Sequence, residues 1–250
     1  MIERGLNDGI LTLRLAHKKA SAMDLELCNA IQREFESAAE ANDVRAIVLT
    51  GTGSIFSAGV DLPRLVDSGR KYVQDFVEAL DSAFRAMFLF PKPAIAAING
   101  HAIAGGAVMA FACDYRLMTA GRIGVPEALV GVPFPALAFE IVRFGVPKQH
   151  LQSVVLLAKT YEVAEAKSIG LIDEVVSGDS LLPRANEIAL QMASITPSAF
   201  RLTKRQLREP YLRDAAAVAS ASAEEIDALW AAPETHEHIR AYLAKTIGKK

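Results

Sequence analysis

The chain has 250 residues, 51% of them hydrophobic and 22% charged, with a formal net charge of -2. That length buries a substantial core, while the near-neutral balance argues against a nucleic-acid or anionic-membrane surface as main partner. Two cysteines without metal-ligand spacing (Cys28 and Cys113), acidic residues in MIERGLNDGI and no apolar run of membrane-spanning length lead to one expectation: a soluble cytoplasmic protein without signal peptide, disulfide or metal.

In chain order, Gly9 to Leu15 alternates apolar and polar residues as a strand with one buried face does. Asp24 then suits the N-cap of a helix whose apolar positions Leu27, Ile31, Phe35 and Ala38 recur at helical spacing. Val44 to Thr50 reads as a strand covered on both faces. Gly51 to Ser54 punctuates the chain, and Phe56 to Leu62 (FSAGVDL) reads as a tight loop in which Asp61 caps a short helix. A long helix follows from about 71 to 88, with Val73, Phe76, Leu80, Phe84 and Met87 on one side.

Ala94 to Ile98 is a buried strand ended by the Asn99-Gly100 turn. Ala104-Gly105-Gly106-Ala107 then opens a helix that is apolar all round, hence buried. The first N–H groups of a helix lack intrahelical partners, so negative charge is welcome at Gly105. Further strands are expected at Tyr115 to Thr119, Ile123 to Val125 and Asp173 to Val176. Helices are expected at 137–144, 148–157, 162–168 and 181–194. Three more follow, the first capped by Thr196 before Pro197 and two flanking Pro233. The chain thus divides into an α/β core, 1–195, and a helical region, 196–250, expected to pack against neighbouring subunits. Glu127, after Pro126 and among Ile123, Val125, Leu129 and Val130, is a lone carboxylate in apolar company.

Five ordered pieces make the chain resemble the enoyl-CoA hydratase/isomerase, or crotonase, family: FSAGVDL at 56–62, PAIAAINGHAIAGG at 93–106, CDYR at 113–116, PEALVG at 126–131 and AEAKSIGLIDEVV at 164–176. The resemblance implies a crotonase-like α/β spiral of ββα units with a C-terminal α-helical region, assembled as a trimer or dimer of trimers. It implies an acyl-CoA thioester substrate and no separate cofactor, coenzyme A being part of the substrate. By position, the backbone N–H groups of Val60 and Gly105 would form an oxyanion hole, and losing one such donor typically costs about 3 to 4 kcal/mol of barrier. Ala58, Gly59, Asp61, Gly106, Val108 and Phe134 would lie at the substrate, the Ala58 carbonyl towards the CoA adenine.

Family hydratases hold water between two glutamates, one three positions after the oxyanion glycine and one in the Pro-Glu motif. Here the second is Glu127 but the first position is Val108, which neither orients water nor accepts a proton. A 1,3 double-bond shift needs no water, because one carboxylate takes the C2 proton of a 3-enoyl-CoA and returns it to C4. The expected activity is therefore isomerisation by Glu127; the alternatives are a hydratase of low efficiency, a thioester hydrolase or a non-catalytic acyl-CoA-binding subunit. Glu127 would otherwise cap a helix or pair with Arg116 or Arg122. Asp61 and Asp114 read as caps or ion-pair partners, Glu140 as solvated or paired with Arg143, and His101 as structural. Phe134 and Pro135 are expected to narrow or reshape the acyl pocket, Ser21 stands where the family often has asparagine, and Lys18, Lys19 and Arg64 are neighbours considered for the CoA phosphates.

Overall fold

The computed structural model describes residues 1–18 and 20–247, so Lys19 lies outside it. Two sheets are built in alternation by one repeating unit. The larger has six strands in the order β1 (Ile2–Asn7), β2 (Ile10–Leu15), β3 (Ala46–Thr50), β5 (Ala94–Ile98), β7 (Tyr115–Met118) and β10 (Glu174–Val175). The smaller has β4 (Ile55–Ser57), β6 (His101–Ile103), β8 (Arg122–Gly124) and β9 (Thr160–Glu162). Each turn of the chain gives one strand to each sheet before entering a helix: β3 and β4 precede α2 (Leu62–Asp67) and α3 (Arg70–Phe88), and β5 and β6 precede α4 (Gly105–Ala112). Then β7 and β8 precede α5 (Glu127–Val130), α6 (Ala136–Gly145) and α7 (Lys148–Leu156). This is the expected spiral of ββα units.

The large sheet is parallel from β2 to β10, and β1 joins it antiparallel through Ile2↔Leu15 to Asn7↔Ile10. Strand β3 is buried along its whole length, because α1 (Leu25–Glu40) and α3 cover one face while α9 (Leu181–Ala193) covers the other. Asp24 caps α1 by accepting from the Leu27 N–H at 2.9 Å. Strands β1, β4, β6 and β9 were not foreseen: β1 is largely exposed, and the other three have only three residues each, too few to show a period. The short helix α8 is Val163–Ser168.

After Thr196 two helices form instead of the expected three, α10 (Pro197–Ala231) and α11 (Pro233–Ile247). Pro210 lies inside α10, whose neighbouring turns are anchored in the core by Lys204, Arg208 and Ala215. Lys204 Nζ lies 2.6 Å from Asp114 Oδ2 and Arg208 Nη2 lies 2.6 Å from Asp114 Oδ1. The helical region is thus fastened to its own core, with Asp114 as an ion-pair partner.

Candidate active site

Two loops meet where β4 and β6 leave the smaller sheet. The segment after His17 is laced to the one after Phe56: Ala58 N–H donates to Ala20 O (3.1 Å), Ser57 Oγ–H to Ser21 O (2.8 Å) and Met23 N–H to Gly59 O (2.7 Å). Asp61 N–H returns a bond to Met23 O at 2.9 Å. Because this parallel bridge uses the carbonyl of Gly59 and the amide of Asp61, the N–H of Val60 points away from Met23. It has no acceptor among the described residues.

Gly59, with φ +79°, sits against the start of α4: a Cβ there would lie 2.7 Å from Ile103 O and 3.0 Å from Gly105 N. A Cβ on Gly105 would meet Met23 Sδ at 2.9 Å. Close packing and a positive φ thus demand glycine at 59, while at 105 a Cβ would have to displace the flexible Met23 side chain; the same packing sets the loop carrying Val60 against the start of α4. Gly105 N–H, at the first position of α4, also has no acceptor among the described residues. Ala104 before it holds φ 52° and ψ -124°, a strained conformation for an L-residue.

A cavity of about 650 Å³, counted to its open mouth, lies in front of these amides. Ala58, Val60, Gly105, Val108, Glu127 and Phe134 all line it. Gly59, Asp61 and Gly106, also expected at the substrate, do not: Gly59 provides the close approach, and Gly106 faces Ser57, whose carbonyl a Cβ would strike at 2.4 Å. Asp61 caps α2 through the Arg64 N–H at 3.2 Å and takes Lys18 Nζ at 3.3 Å.

Glu127 opens α5 and is buried, with Oε2 lacking any hydrogen-bond partner. Desolvation pushes its carboxyl up to about 8, opposed only by its own main-chain N–H. The arginines considered as partners are committed elsewhere, Arg116 to Asp173 (2.8 Å) and Arg122 to Glu162 (2.8 Å). Among the described residues, Glu127 is the only carboxyl group on the cavity wall. Val108 is 1% exposed and adds only methyl groups. Glu140 is buried rather than solvated, and Arg143 Nη1 holds both its oxygens at 2.7 and 2.8 Å.

Basic residues near the mouth are also occupied. Lys18 and Arg64 donate to the fully buried Asp24 at 2.7 and 3.0 Å, Arg64 also grips Glu26, and His17 Nε2 lies 2.8 Å from the same Asp24. Ser21 is buried with the loop. Sequence reasoning missed the opposite wall, where Leu80 and Phe84 of α3 meet Trp230 and Tyr242 of the C-terminal helices. Leu80 and Phe84 carry the same pattern as any core position. The one signal available for Trp230 was its being the chain's single tryptophan, just before the Pro233 break.

Paired strands wound into two sheets, with an apolar cavity where the strands end, are the plan of a crotonase fold. A sequence model described as enoyl-CoA hydratase/isomerase matches residues 5–247, and the chain belongs to that family. A putative enoyl-CoA hydratase of Thermus thermophilus is 35% identical over 168 residues, 66% of this chain and 66% of that protein. The mitochondrial enoyl-CoA delta isomerase 1 of Rattus norvegicus is 24% identical over 254 residues, 100% of this chain and 88% of that protein. Among solved structures, human mitochondrial delta3-delta2-enoyl-CoA isomerase matches in fold with a TM-score of 0.94 at 20% identity, covering 100% of this chain and 99% of that one. Relatives thus carry both names, hydratase and isomerase. Among the described residues no helix is long and apolar enough to cross a membrane.

Proposed function

We propose that the protein isomerises 3-enoyl-CoA to 2-enoyl-CoA thioesters, with Glu127 as the only proton carrier. The observation that carries this reading is the Glu127 carboxylate, whose Oε2 has no hydrogen-bond partner, sharing its cavity with Val108 and, among the described residues, with no second acid. The thioester oxygen accepts from Val60 N–H and Gly105 N–H, at the positive end of α4. Glu127 takes the C2 proton, and the C–H electron pair becomes a dienolate whose charge rests on that oxygen. The protonated Glu127 then returns the proton to C4, leaving the double bond between C2 and C3. A carboxyl near 8 suits both halves, since it must accept a proton and then give it back. Hydration would need a water held and deprotonated, and the methyl groups of Val108 do neither.

The test is Glu127→Gln with a 3-enoyl-CoA, following formation of the conjugated thioester by its absorbance. A fall of about 10²- to 10⁴-fold is expected; conjugation at near wild-type rate removes Glu127 from the mechanism. Wild-type protein given a 3-enoyl-CoA and, separately, a 2-enoyl-CoA decides the alternatives: conjugation of the first without hydration of the second assigns an isomerase, hydration a hydratase, release of free CoA a hydrolase, and binding of both without turnover of either a non-catalytic subunit. We also carry forward a trimer or dimer of trimers, for which exposed Leu190, Ile195, Leu202 and Leu207 offer apolar surface on α9, α10 and the turn between them. Sedimentation equilibrium reads this directly as a multiple of the protomer mass.

A further inference from the structure

The wall supplied by the C-terminal helices gives the cavity an end. Leu80, Phe84, Val108, Ala138 and Trp230 are each 2% exposed or less and line it together. Ala58, Leu62, Ile103 and Tyr242, which line the same cavity, are partly or fully exposed. The space therefore runs from an open side to a closed apolar end.

Trp230 is the largest group at that end, and it is held from three sides. Its indole Nε1–H donates to Pro133 O at 3.0 Å. Its ring lies against Phe76, centroids 6.4 Å apart. Its main-chain carbonyl lies 2.9 Å from His236 Nε2, on the first turn of α11. Helix α11 is itself fastened to the core, Arg240 Nη2 donating to Val66 O at 2.7 Å and Ile239 being fully buried. A side chain so restrained does not swing aside for a longer ligand. With its single N–H already used, it offers an arriving chain only carbon.

We propose that Trp230 sets the upper length of the acyl chain this site accepts, and that the chain it meets is unsubstituted hydrocarbon. This rests on the cavity being the acyl site of the reaction proposed above. Each methylene entering an apolar space is worth about fourfold in affinity. Affinity for a homologous series should therefore climb by about that factor per carbon and stop where the chain reaches the indole.

The experiment is calorimetric titration of the whole protein with saturated straight-chain acyl-CoAs from butanoyl to hexadecanoyl, which bind without reacting. Wild type is compared with Trp230→Ala, Trp230→Phe and Ala138→Leu, each checked for a cooperative thermal transition. The chain length at which affinity stops climbing is expected to move up by two or more carbons in Trp230→Ala. The ratio of affinities for the chain just beyond the wild-type limit and for butanoyl-CoA should rise at least tenfold. Trp230→Phe should fall between these two, and Ala138→Leu, which fills the closed end, should move the limit down; these carry the test if Trp230→Ala does not fold. A limit and ratio equal to wild type in the folded variants overturn the proposal. Because binding needs no turnover, a Glu127→Gln variant that still isomerises would remove the proposed mechanism without touching this result. An unmoved limit beside Glu127-dependent turnover would remove only the role of Trp230.

Discussion

Glu127 and Asp114 are carboxylates withdrawn from water on successive turns of the spiral, and their surroundings are opposite. Asp114 accepts from Lys204, from Arg208 and from the Ala94 N–H at 2.8 Å, so two cations crowd one anion. Burial there pushes the Lys204 ammonium down to about 8. Among the described residues no cation pairs with Glu127, and burial pushes its carboxyl up to about 8. Compensation, more than burial, separates an acid that fastens a helix from one left free to move a proton. Glu140 makes the same point beside the cavity, where Arg143 occupies both its oxygens.

Breaking each site should give different damage. The largest effect is the rate loss of Glu127→Gln, which should leave the fold intact. Asp114→Ala strands two buried cations and should cost about 3 to 5 kcal/mol in denaturant unfolding. Protein of that variant that remains folded should keep a kcat within a few-fold of wild type.

pH separates the two sites without mutation. Glu127 has an ordinary carboxyl near 4.5 when unfolded and about 8 when folded. Between those values the folded state holds the extra proton, so Glu127's contribution to stability is lost as pH rises, by ~1.4 kcal/mol per unit. Lys204, at 10.5 unfolded and about 8 folded, acts in the opposite sense: from 8 to 10.5 the unfolded state holds the extra proton, and stability recovers as pH rises. Unfolding measured across pH should lose the first limb in Glu127→Gln and the second in Lys204→Met. For activity, kcat/KM of wild type should rise with pH to a plateau, with its midpoint near 8, as the base deprotonates. The smallest effect is Ala104→Gly, which relieves a positive φ but gives the unfolded chain more freedom. A gain under about 1 kcal/mol in thermal unfolding is expected.

What the sequence made legible is local. Val60, Gly105, Val108 and the Pro126-Glu127 step all lie in short contiguous stretches that resemble the family's motifs, and it was that resemblance, rather than spacing by itself, that singled them out; all of them line one cavity. Of the residues in those stretches, Gly59, Asp61 and Gly106 stand behind the cavity wall, because a motif does not say which of its residues face the space and which shape the backbone. Helix α10 illustrates the reverse failure: two helices were expected before Pro233 where one runs from Pro197 to Ala231 through Pro210, and its contacts with Asp114 through Lys204 and Arg208 span about ninety residues of chain that no local pattern reports. Trp230 was invisible as a wall for the same reason, since its partner Pro133 lies 97 residues away.

That span has a consequence during synthesis. Until Trp230 has left the ribosome, the spiral carries Leu80, Phe84 and Ala138 beside an apolar trough with one side missing. The docking of Trp230 on Pro133 therefore closes the site only after nearly the whole chain has been made, so completion of the fold and completion of the site coincide.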